Sequence, residues 1–255
     1  MSPNIFVGTA GWSIPSQYRP DFPSPGSHLD RYATRFNAAE INSSFYRPHR
    51  RTTYERWAES VGPEFRFSVK LPKAISHDRR LSDCAPLLEG FAEQVAGLGK
   101  KLGALLVQLP PSLAFDLQTA ATFFGSLRSS LHAPVACEPR HGSWFSEQAE
   151  TLLRSYRIAR VAADPSPVAG AEAPAGWDGL RYLRLHGSPV IYRAAYDETR
   201  LRDYIAMLAS ARGHADAWCI FDNTASMAAI GNALHFQRLT AGSSCLVGTP
   251  AASDR

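Results

Sequence analysis

The sequence predicts an α/β fold in which eight parallel strands and their connecting helices close into a (β/α)8 barrel. Three observations predict it. Short β-rich runs alternate with longer amphipathic segments, a pattern typical of parallel βαβ units. The length of 255 residues is close to the ~250 that one such barrel uses. Charged side chains also collect where the runs end. The alternative is a doubly wound open sheet, because the periodicity of apolar residues does not show whether a sheet closes into a barrel.

Eight runs are predicted as strands and six segments as helices. The strands, in chain order, are IFVGTA (5–10), AAEINS (38–43), FRFSVK (65–70), GALLVQL (103–109), APVACE (133–138), RIARVAAD (157–164), LRYLRLH (180–186) and AWCIFDN (217–223). The helical segments are 29–36, 86–98, 119–127, 147–155, 201–211 and 227–236. Within 201–211, Leu201, Ile205 and Leu208 follow the apolar stripe of a helix.

One connection departs from this alternation. Residues 164–179, DPSPVAGAEAPAGWDG, are rich in Pro, Gly and Ala and have no apolar stripe. We interpret them as a long loop that replaces the sixth helix, with a domain linker as the alternative. Neither flank has enough strands to form a sheet by itself, so residues 1–247 are predicted to form a single domain. Residues 248–255 are predicted to be a frayed tail.

Composition restricts the class of protein without naming a function. The formal net charge is +4 and the isoelectric point about 9.0, which permits an anionic partner but does not require one. Cys84, Cys137, Cys219 and Cys245 show no C-x-x-C spacing. Cys137 and Cys219 lie in apolar runs and are predicted to be buried and unpaired. The sequence shows no signal peptide and no apolar stretch of ~18 residues that could span a membrane. We therefore expect a cytoplasmic protein, and the sequence does not predict its oligomeric state.

Charge at the strand ends predicts a site. In 180–186, Tyr182, Arg184 and His186 share one strand face, while Leu183 and Leu185 share the other. In a parallel barrel all strands end at the same rim, which is where active sites are built. The sequence therefore predicts a polar, net basic pocket at that rim.

The candidate residues fall into two groups. Catalytic candidates are Glu138, Glu40, Lys70, His186 and Asp222. Ligand-binding candidates are Trp12, Asn42, Tyr46, His77, Gln108, Arg140, His141, Trp144, Arg184 and Asn223. The alternative interpretation is that these charges only pair with one another and hold the top of the barrel together.

Each candidate type suggests a role. Arg140 and Arg184 suit bidentate binding of an anion. Glu138 or Glu40 suits a general acid or base, with His186 or His77 as a second proton carrier. Lys70 suits an electrophile or a Schiff-base nucleophile, and the sequence does not choose between them.

The chain resembles the DUF72 family, the YecE-like proteins. The matching stretches are VGTAGWS, LDRYATRFNAAEINSSFYR, FRFSVKLPKAISHDRRL, LGALLVQLPPS, EPRHGSW, LRLHG and FDNTASMAAIGNAL. The resemblance implies a TIM-like barrel and a cytoplasmic setting, but no known reaction. The family's barrel is similar to that of the endonuclease IV and xylose isomerase-like group, which suggests phosphate or sugar ligands by analogy of fold. Asp222-Asn223 stands where many relatives carry two asparagines.

Three functions are compatible with these residues. The first is an enzyme that binds a phosphorylated or otherwise anionic substrate at the rim. The second is a non-catalytic nucleic-acid-binding protein, in which basic loops hold phosphates and Trp12, Tyr46 and Trp144 offer stacking faces. The third is a metal-assisted phosphoester hydrolase.

No cofactor is predicted. Lys70, Arg140 and Arg184 lie among the acidic candidates and would repel a metal cluster. The sequence is still compatible with weak binding of one divalent ion by Glu138 and Asp222. The sequence contains no nucleophile elbow, P-loop or dinucleotide fingerprint.

Overall fold

A computed structural model describes residues 4–22, 25–169, 171–209 and 215–244, with side chains of the last helix given as far as Ala241. Cys245 and the predicted tail at 248–255 lie outside these residues. The fold is a mixed α/β structure with parallel sheets.

The strands form two hydrogen-bonded sheets. In the described residues they are β1 (Ile5–Thr9), β2 (Ala38–Ile41), β3 (Arg66–Lys70), β4 (Leu102–Gln108), β5 (Val135–Glu138), β6 (Ile158–Arg160), β7 (Ala162–Asp164), β8 (Ala175–Gly176), β9 (Leu180–Leu185) and β10 (Asp216–Phe221). One sheet has the order β1-β10-β9-β7 and the other the order β2-β3-β4-β5-β6-β8. All neighbours run parallel except β6 and β8. Each of the eight predicted runs contains a strand, and the sixth is divided into β6 and β7.

Helices follow most of the strands. They are α1 (His28–Tyr32), α2 (Arg51–Glu59), α3 (Ala85–Val95), α4 (Leu117–Ser130), α5 (Glu147–Ser155), α6 (Glu198–Ala209) and α7 (Ala228–Ser244). Short 3-10 helices at Ser43–Phe45 and Gly142–Phe145, and a π-helix at Ala74–Asp78, follow the ends of β2, β5 and β3. Helix α2 is not among the predicted segments. No helix in the described part of the chain is long and apolar enough to cross a membrane.

The two sheets adjoin at both edges. A parallel bridge joins Ala10 to Glu40 beyond the ends of β1 and β2, and the Gly11 N–H donates to the Glu40 carbonyl at 2.8 Å. At the other edge only Val161 separates β6 from β7, and its N–H donates to the Cys137 carbonyl at 2.8 Å. The chain thus passes from one sheet to the other through hydrogen-bonded backbone.

Two apolar clusters lie on opposite faces of the strands. The larger packs between strands and helices and contains Leu183 and Leu185, as the alternation in 180–186 predicts. The smaller lies on the face where side chains of the two sheets meet, called the inner face below. It consists of Phe6, Ala38, Ala104, Leu106, Ala136, Ala159, Val161, Leu180, Tyr182, Trp218 and Ile220. The rings of Tyr182 and Trp218 stack within it at 5.9 Å. The same alternation places Arg184 and His186 directly beyond this inner cluster, toward the strand ends.

The segment between β7 and β9 contains a short strand that the sequence does not predict. In its described residues, 165–169 and 171–179, no helix is present, and β8 pairs antiparallel with β6. The Glu150 carboxylate of α5 accepts the Gly176 N–H at 2.8 Å and pairs with Arg160. The segment is therefore attached to the fold near the start of β6.

The described cysteines agree with their prediction. Cys137 and Cys219 are fully buried and unpaired, and Cys84 is also buried and free. Burial raises the pKa of all three thiols, that of Cys84 to about 11. These residues act as small apolar groups in the fold.

Candidate functional site

The centre of the candidate site is the guanidinium of Arg184, at the end of β9. It is 1% exposed. Its Nη2 lies 2.8 Å from Glu40 Oε1 and 2.9 Å from Asp222 Oδ2, and its Nη1 lies 3.1 Å from Glu138 Oε2. Burial opposes the charged form, but these three carboxylates raise the pKa of Arg184 well above its usual value. One cation therefore holds together carboxylates from β2, β5 and the residue that follows β10.

His186 lies between two of these carboxylates. Its Nε2 lies 3.0 Å from Glu138 Oε1 and 3.2 Å from Arg140 Nη2, and its Nδ1 lies 3.0 Å from Asp222 Oδ2. Because both ring nitrogens face an acceptor, the imidazolium form satisfies both bonds. Burial alone would lower the pKa of His186, but Glu138 and Asp222 raise it above 6.5. His186 is thus a buried imidazole between two acids.

Glu138 is the most connected acid of the site. Besides Arg184 and His186, it accepts from Arg140 Nε at 3.0 Å and from Arg140 Nη2 at 2.8 Å, both at Oε1. Burial would raise the pKa of Glu138, but attraction to His186, Arg184 and Arg140 holds it well below 4.5. Glu138 therefore stays ionised.

Lys70 lies apart from this network although it is close to it. Its side chain ends β3, is 6% exposed, and places Nζ 4.0 Å from the centre of the Phe45 ring. No carboxylate of the described residues lies within ion-pair distance of Nζ. Burial and the charge of Arg184 lower the pKa of Lys70 to about 8, although the site's carboxylates oppose this shift.

His77 contacts the same aromatic ring as Lys70. The ring centres of His77 and Phe45 are 4.9 Å apart, and His77 Nδ1 lies 2.9 Å from Ser76 Oγ. Burial lowers the pKa of His77 below 6.5, and the charges of Lys70 and Arg140 contribute to the shift. Lys70, His77 and Arg140 therefore act on one another electrostatically at one part of the rim.

Three amide side chains at the strand ends have unsatisfied oxygens. Asn42 Oδ1, Gln108 Oε1 and Asn223 Oδ1 are buried, and no donor of the described residues bonds to them. Asn42 follows Ile41, which pairs with Val69, so it lies beside Lys70. Gln108 pairs in register with Glu138. Buried acceptors without donors are costly, so these oxygens suit a ligand that carries N–H or O–H groups.

A cavity of about 290 Å³ opens onto the network. Glu138, Arg140 and His186 form its charged wall, and Pro111, Pro165, Pro167 and Ile191 are among its other lining residues. The Arg140 side chain is 25% exposed, and its Nη1 makes no hydrogen bond to a described residue. An anion in the cavity would therefore find one guanidinium nitrogen without a described partner, close to the ring of His186.

Basic and acidic side chains alternate in this part of the structure. Lys70, Arg140, Arg184 and His186 lie near the carboxylates of Glu40, Glu138 and Asp222.

Four of the predicted ligand-binding residues lie away from this network. Trp144 is buried, donates its indole N–H to the Leu113 carbonyl at 2.9 Å and packs on Phe115. Trp12 packs on Trp57. The indole of Trp144 is therefore not free as a stacking face, while Trp12 is only partly buried.

The other two are His141 and Tyr46. His141 caps the short helix Gly142–Phe145 by accepting the Ser143 N–H. Tyr46 is 79% exposed and lies against Phe45 at a ring-centre distance of 5.1 Å. Asn223 donates from Nδ2 to the Ala194 carbonyl and to Asn232 Oδ1, and so anchors the segment after β9.

Sequence reasoning missed three residues of the site. Tyr182 donates from its hydroxyl to Glu40 Oε2 at 2.9 Å and lies 2.9 Å from Ser68 Oγ. Its position on the Arg184 face was a usable signal. Phe45 and Tyr192, whose ring lies 5.6 Å from that of His186, belong to connections without periodicity, so no sequence signal marked them.

The carboxylates of the site already face cationic side chains. The Arg184 guanidinium lies between Glu40, Glu138 and Asp222. Glu138 and Asp222, the pair considered for a single ion, direct their oxygens at Arg184, His186 and Arg140. Residues 4–22, 25–169, 171–209 and 215–244 contain no group of three or more His, Cys, Asp or Glu side chains that could hold a metal.

Comparison with known sequences gives one family. The family described as "Protein of unknown function DUF72" matches residues 6–253. The UPF0759 protein YecE of Escherichia coli K12 is 31% identical over 173 residues, which are 66% of this chain and 61% of YecE. The UPF0759 protein YunF of Bacillus subtilis 168 is 22% identical over 197 residues, 72% of this chain and 70% of YunF.

Solved structures share the fold. A DUF72 family protein from Enterococcus faecalis V583 aligns with a TM-score of 0.79 at 20% identity, covering 98% of this chain and 100% of that one. A DUF72 family protein from Thermotoga maritima MSB8 aligns with a TM-score of 0.77 at 23% identity, covering 93% and 99%. A xylose isomerase-like TIM barrel/4-hydroxyphenylpyruvate dioxygenase fusion protein aligns with a TM-score of 0.53 at 13% identity, covering 98% of this chain and 46% of the fusion.

Proposed function

The chain belongs to the DUF72 family, whose description names no reaction, and from the site itself we propose an enzyme that acts on a small phosphorylated or otherwise anionic substrate. One observation carries this proposal. The hydrogen-bonded pair Glu138 and His186 borders a cavity together with Arg140, whose Nη1 has no partner among the described residues.

Each residue of the cavity wall has a distinct role. Arg140 binds the anion through its free nitrogen, because a guanidinium forms strong, directed bonds to phosphate and carboxylate oxygens. His186 acts as a general acid, since Glu138 and Asp222 raise its pKa and so favour the protonated ring. Glu138 and Asp222 hold the imidazolium in place by accepting from its two nitrogens.

The architecture proposed for this enzyme is a closed (β/α)8 barrel made by residues 1–247 as one domain. The bridge between Ala10 and Glu40, the near-continuity of β6 and β7, and the inner apolar cluster support it. In this architecture 165–179 takes the place of a sixth helix. The buried free thiols support a reducing, cytoplasmic setting.

Ligand-dependent stabilisation tests the proposal. Inorganic phosphate, compared with chloride at equal ionic strength, should raise the melting temperature of the wild type, since a ligand at 100 times its dissociation constant contributes ~2.7 kcal/mol. Arg140→Gln should lose this rise. Arg79→Gln, at an exposed arginine outside the cavity wall, is the matched control and should keep it. An equal phosphate response in all three proteins, or none in the wild type, would contradict an anion site at Arg140.

Turnover separates an enzyme from a binding protein. A panel of sugar phosphates is incubated with the wild type and with His186→Gln, and products are followed by mass spectrometry. Product formed by the wild type and lost in His186→Gln supports the proposed acid. Equal product from both proteins would remove His186 from the reaction.

A second candidate function, nucleic-acid binding, rests on Tyr46. This ring is 79% exposed, and the exposed Arg47 and Arg50 lie close to it in the chain. Exposed aromatics beside arginines suit the stacking of unpaired bases. Binding of a single-stranded oligonucleotide that weakens steeply with salt and is lost in Tyr46→Ala would favour this function. Salt-independent or absent binding would leave the enzyme as the proposal.

A further inference from the structure

We propose that Lys70 forms a Schiff base with a hydroxylated aldehyde or ketone. This inference rests on the proposed function, because the anionic group of the same substrate is the one held by Arg140. It goes further by naming a nucleophile, a covalent intermediate and a substrate class.

The surroundings of Lys70 differ from those of the neighbouring lysines. Lys73 is paired with Asp78 at 2.7 Å, and Lys101 donates to the Gly62 carbonyl. Lys100 is exposed. Lys70 is buried against Phe45, and its amine has no carboxylate or carbonyl acceptor among the described residues. The acids of the site are committed to Arg184, so this amine is available for chemistry.

The charge state of Lys70 agrees with that role. A nucleophilic amine must be neutral, and desolvation beside other cations is how proteins favour the neutral form. The lowering of its pKa to about 8 leaves an appreciable neutral fraction near neutral pH. An exposed lysine, with a pKa of about 10.4, is almost fully charged under the same conditions.

The unsatisfied amide oxygens indicate the rest of the substrate. Asn42 lies at the end of β2 and Gln108 at the end of β4, on the two strands that flank β3. Gln108 is 8% exposed, and both oxygens are buried without a donor. Hydroxyl groups on the carbons next to the carbonyl would donate to these oxygens. This arrangement favours a polyhydroxylated carbonyl compound over a simple one.

Formation of the Schiff base needs only the Lys70 amine and the substrate carbonyl as reactants. The neutral amine of Lys70 adds to the carbonyl carbon, forming a C–N bond. The carbonyl oxygen leaves as water with the two protons of the amine, and a C=N bond remains. No electrons are gained or lost. His77, which contacts the same Phe45 ring as Lys70, is placed to move these protons.

Reductive trapping tests the inference. The wild type is incubated with dihydroxyacetone phosphate, or with dihydroxyacetone, and borohydride reduces any imine to a stable amine that peptide mapping locates. We expect the adduct at Lys70, absent from Lys70→Arg and kept in the matched control Lys73→Arg. The phosphorylated compound should label about tenfold faster, because Arg140 adds a charge-assisted contact.

The outcomes separate this inference from the proposed function. Labelling at Lys70 at equal rates with both compounds supports the nucleophile and contradicts the anion site at Arg140. A phosphate-dependent melting rise without label at Lys70 keeps the anion site and overturns the nucleophile. Label spread evenly over Lys73, Lys100 and Lys101 also overturns it. If Lys70→Arg does not fold, the wild-type map decides, with Lys73 as the internal reference.

Discussion

At the scale of the residue, Arg184 sets the character of the site. Three carboxylates surround one guanidinium that is 1% exposed, and all four groups are buried. Arg140 contacts one of the same carboxylates but is a quarter exposed. Two arginines therefore differ in what they do, since one holds the strand ends together and the other faces the cavity.

Loss of Arg184 should destabilise the fold strongly. Arg184→Met leaves three buried carboxylates without their common cation, and breaking a buried ion pair in this way costs ~3–5 kcal/mol. Arg140→Met should cost less, because water replaces a partly exposed guanidinium. Urea unfolding of the two variants and the wild type measures both losses. Equal losses would show that Arg184 does not hold the strand ends.

The free energy of unfolding should depend on pH through the protonation of His186. The pKa of His186 is raised above 6.5 in the folded state, so its stabilising contribution is complete below that pH. The contribution is lost as pH rises through the raised value. The pKa of Glu138 is lowered below 4.5, so its contribution is lost only as pH falls through that lower value.

Comparison with His186→Gln isolates the histidine. We expect the difference in unfolding free energy between wild type and His186→Gln to be largest below about pH 6.5 and to shrink as pH increases. Urea unfolding from about pH 5.5 to 8 measures it, and the titration of Lys70, whose pKa is lowered to about 8, is common to both proteins and cancels in the difference. A difference that grows with pH would show that the folded protein holds His186 neutral.

At the scale of the element, strand alternation was the informative signal. It correctly placed Leu183 and Leu185 on one face of the strand and Arg184 on the other, because successive side chains of a strand alternate even when both faces are buried. Helix α2 was missed because its start continues the basic stretch before Arg51, which resembles a solvated loop. Strand β8 is two residues long, too short for any periodicity. The site residues on strands were thus predictable, while Phe45 and Tyr192 on connections were not.

Close packing between β4 and β10 gives a prediction for Gly103. A Cβ at this position would lie 2.6 Å from the Trp218 ring and 2.9 Å from Arg66 Cβ. Gly103→Ala should therefore destabilise the protein by ~1–3 kcal/mol through overpacking. Gly90→Ala in α3, where a Cβ meets nothing within 4 Å, is the control and should be neutral or stabilising. Thermal and urea melts that rank the two variants in the opposite order would disprove this packing constraint.

At the scale of the whole molecule, the inner face is divided along the strands. Its lower part is the apolar cluster around Tyr182 and Trp218, and its upper part is the charged network around Arg184. Tyr182 belongs to both, because its ring stacks on Trp218 and its hydroxyl bonds to Glu40. Side chains from both sheets meet there, which predicts that the sheets unfold together.

Thiol labelling tests that cooperativity. Cys137 is on β5 in one sheet and Cys219 is on β10 in the other, and both are fully buried. Under mildly destabilising conditions the two thiols should react at the same rate, since both need the same global opening. Alkylation followed by peptide mass spectrometry gives the two rates. Rates that differ by more than the intrinsic reactivities of the unfolded thiols would show two independently opening sheets.

The stacked pair of Tyr182 and Trp218 also gives the protein an optical property. The planes of the two rings are only 4° apart, and both rings are buried in a fixed, asymmetric setting. Aromatic rings held in this way produce strong circular dichroism in the near ultraviolet. The Tyr182 hydroxyl donates a hydrogen bond to Glu40. The near-ultraviolet circular dichroism of the pair should therefore change when the charged network around Arg184 changes.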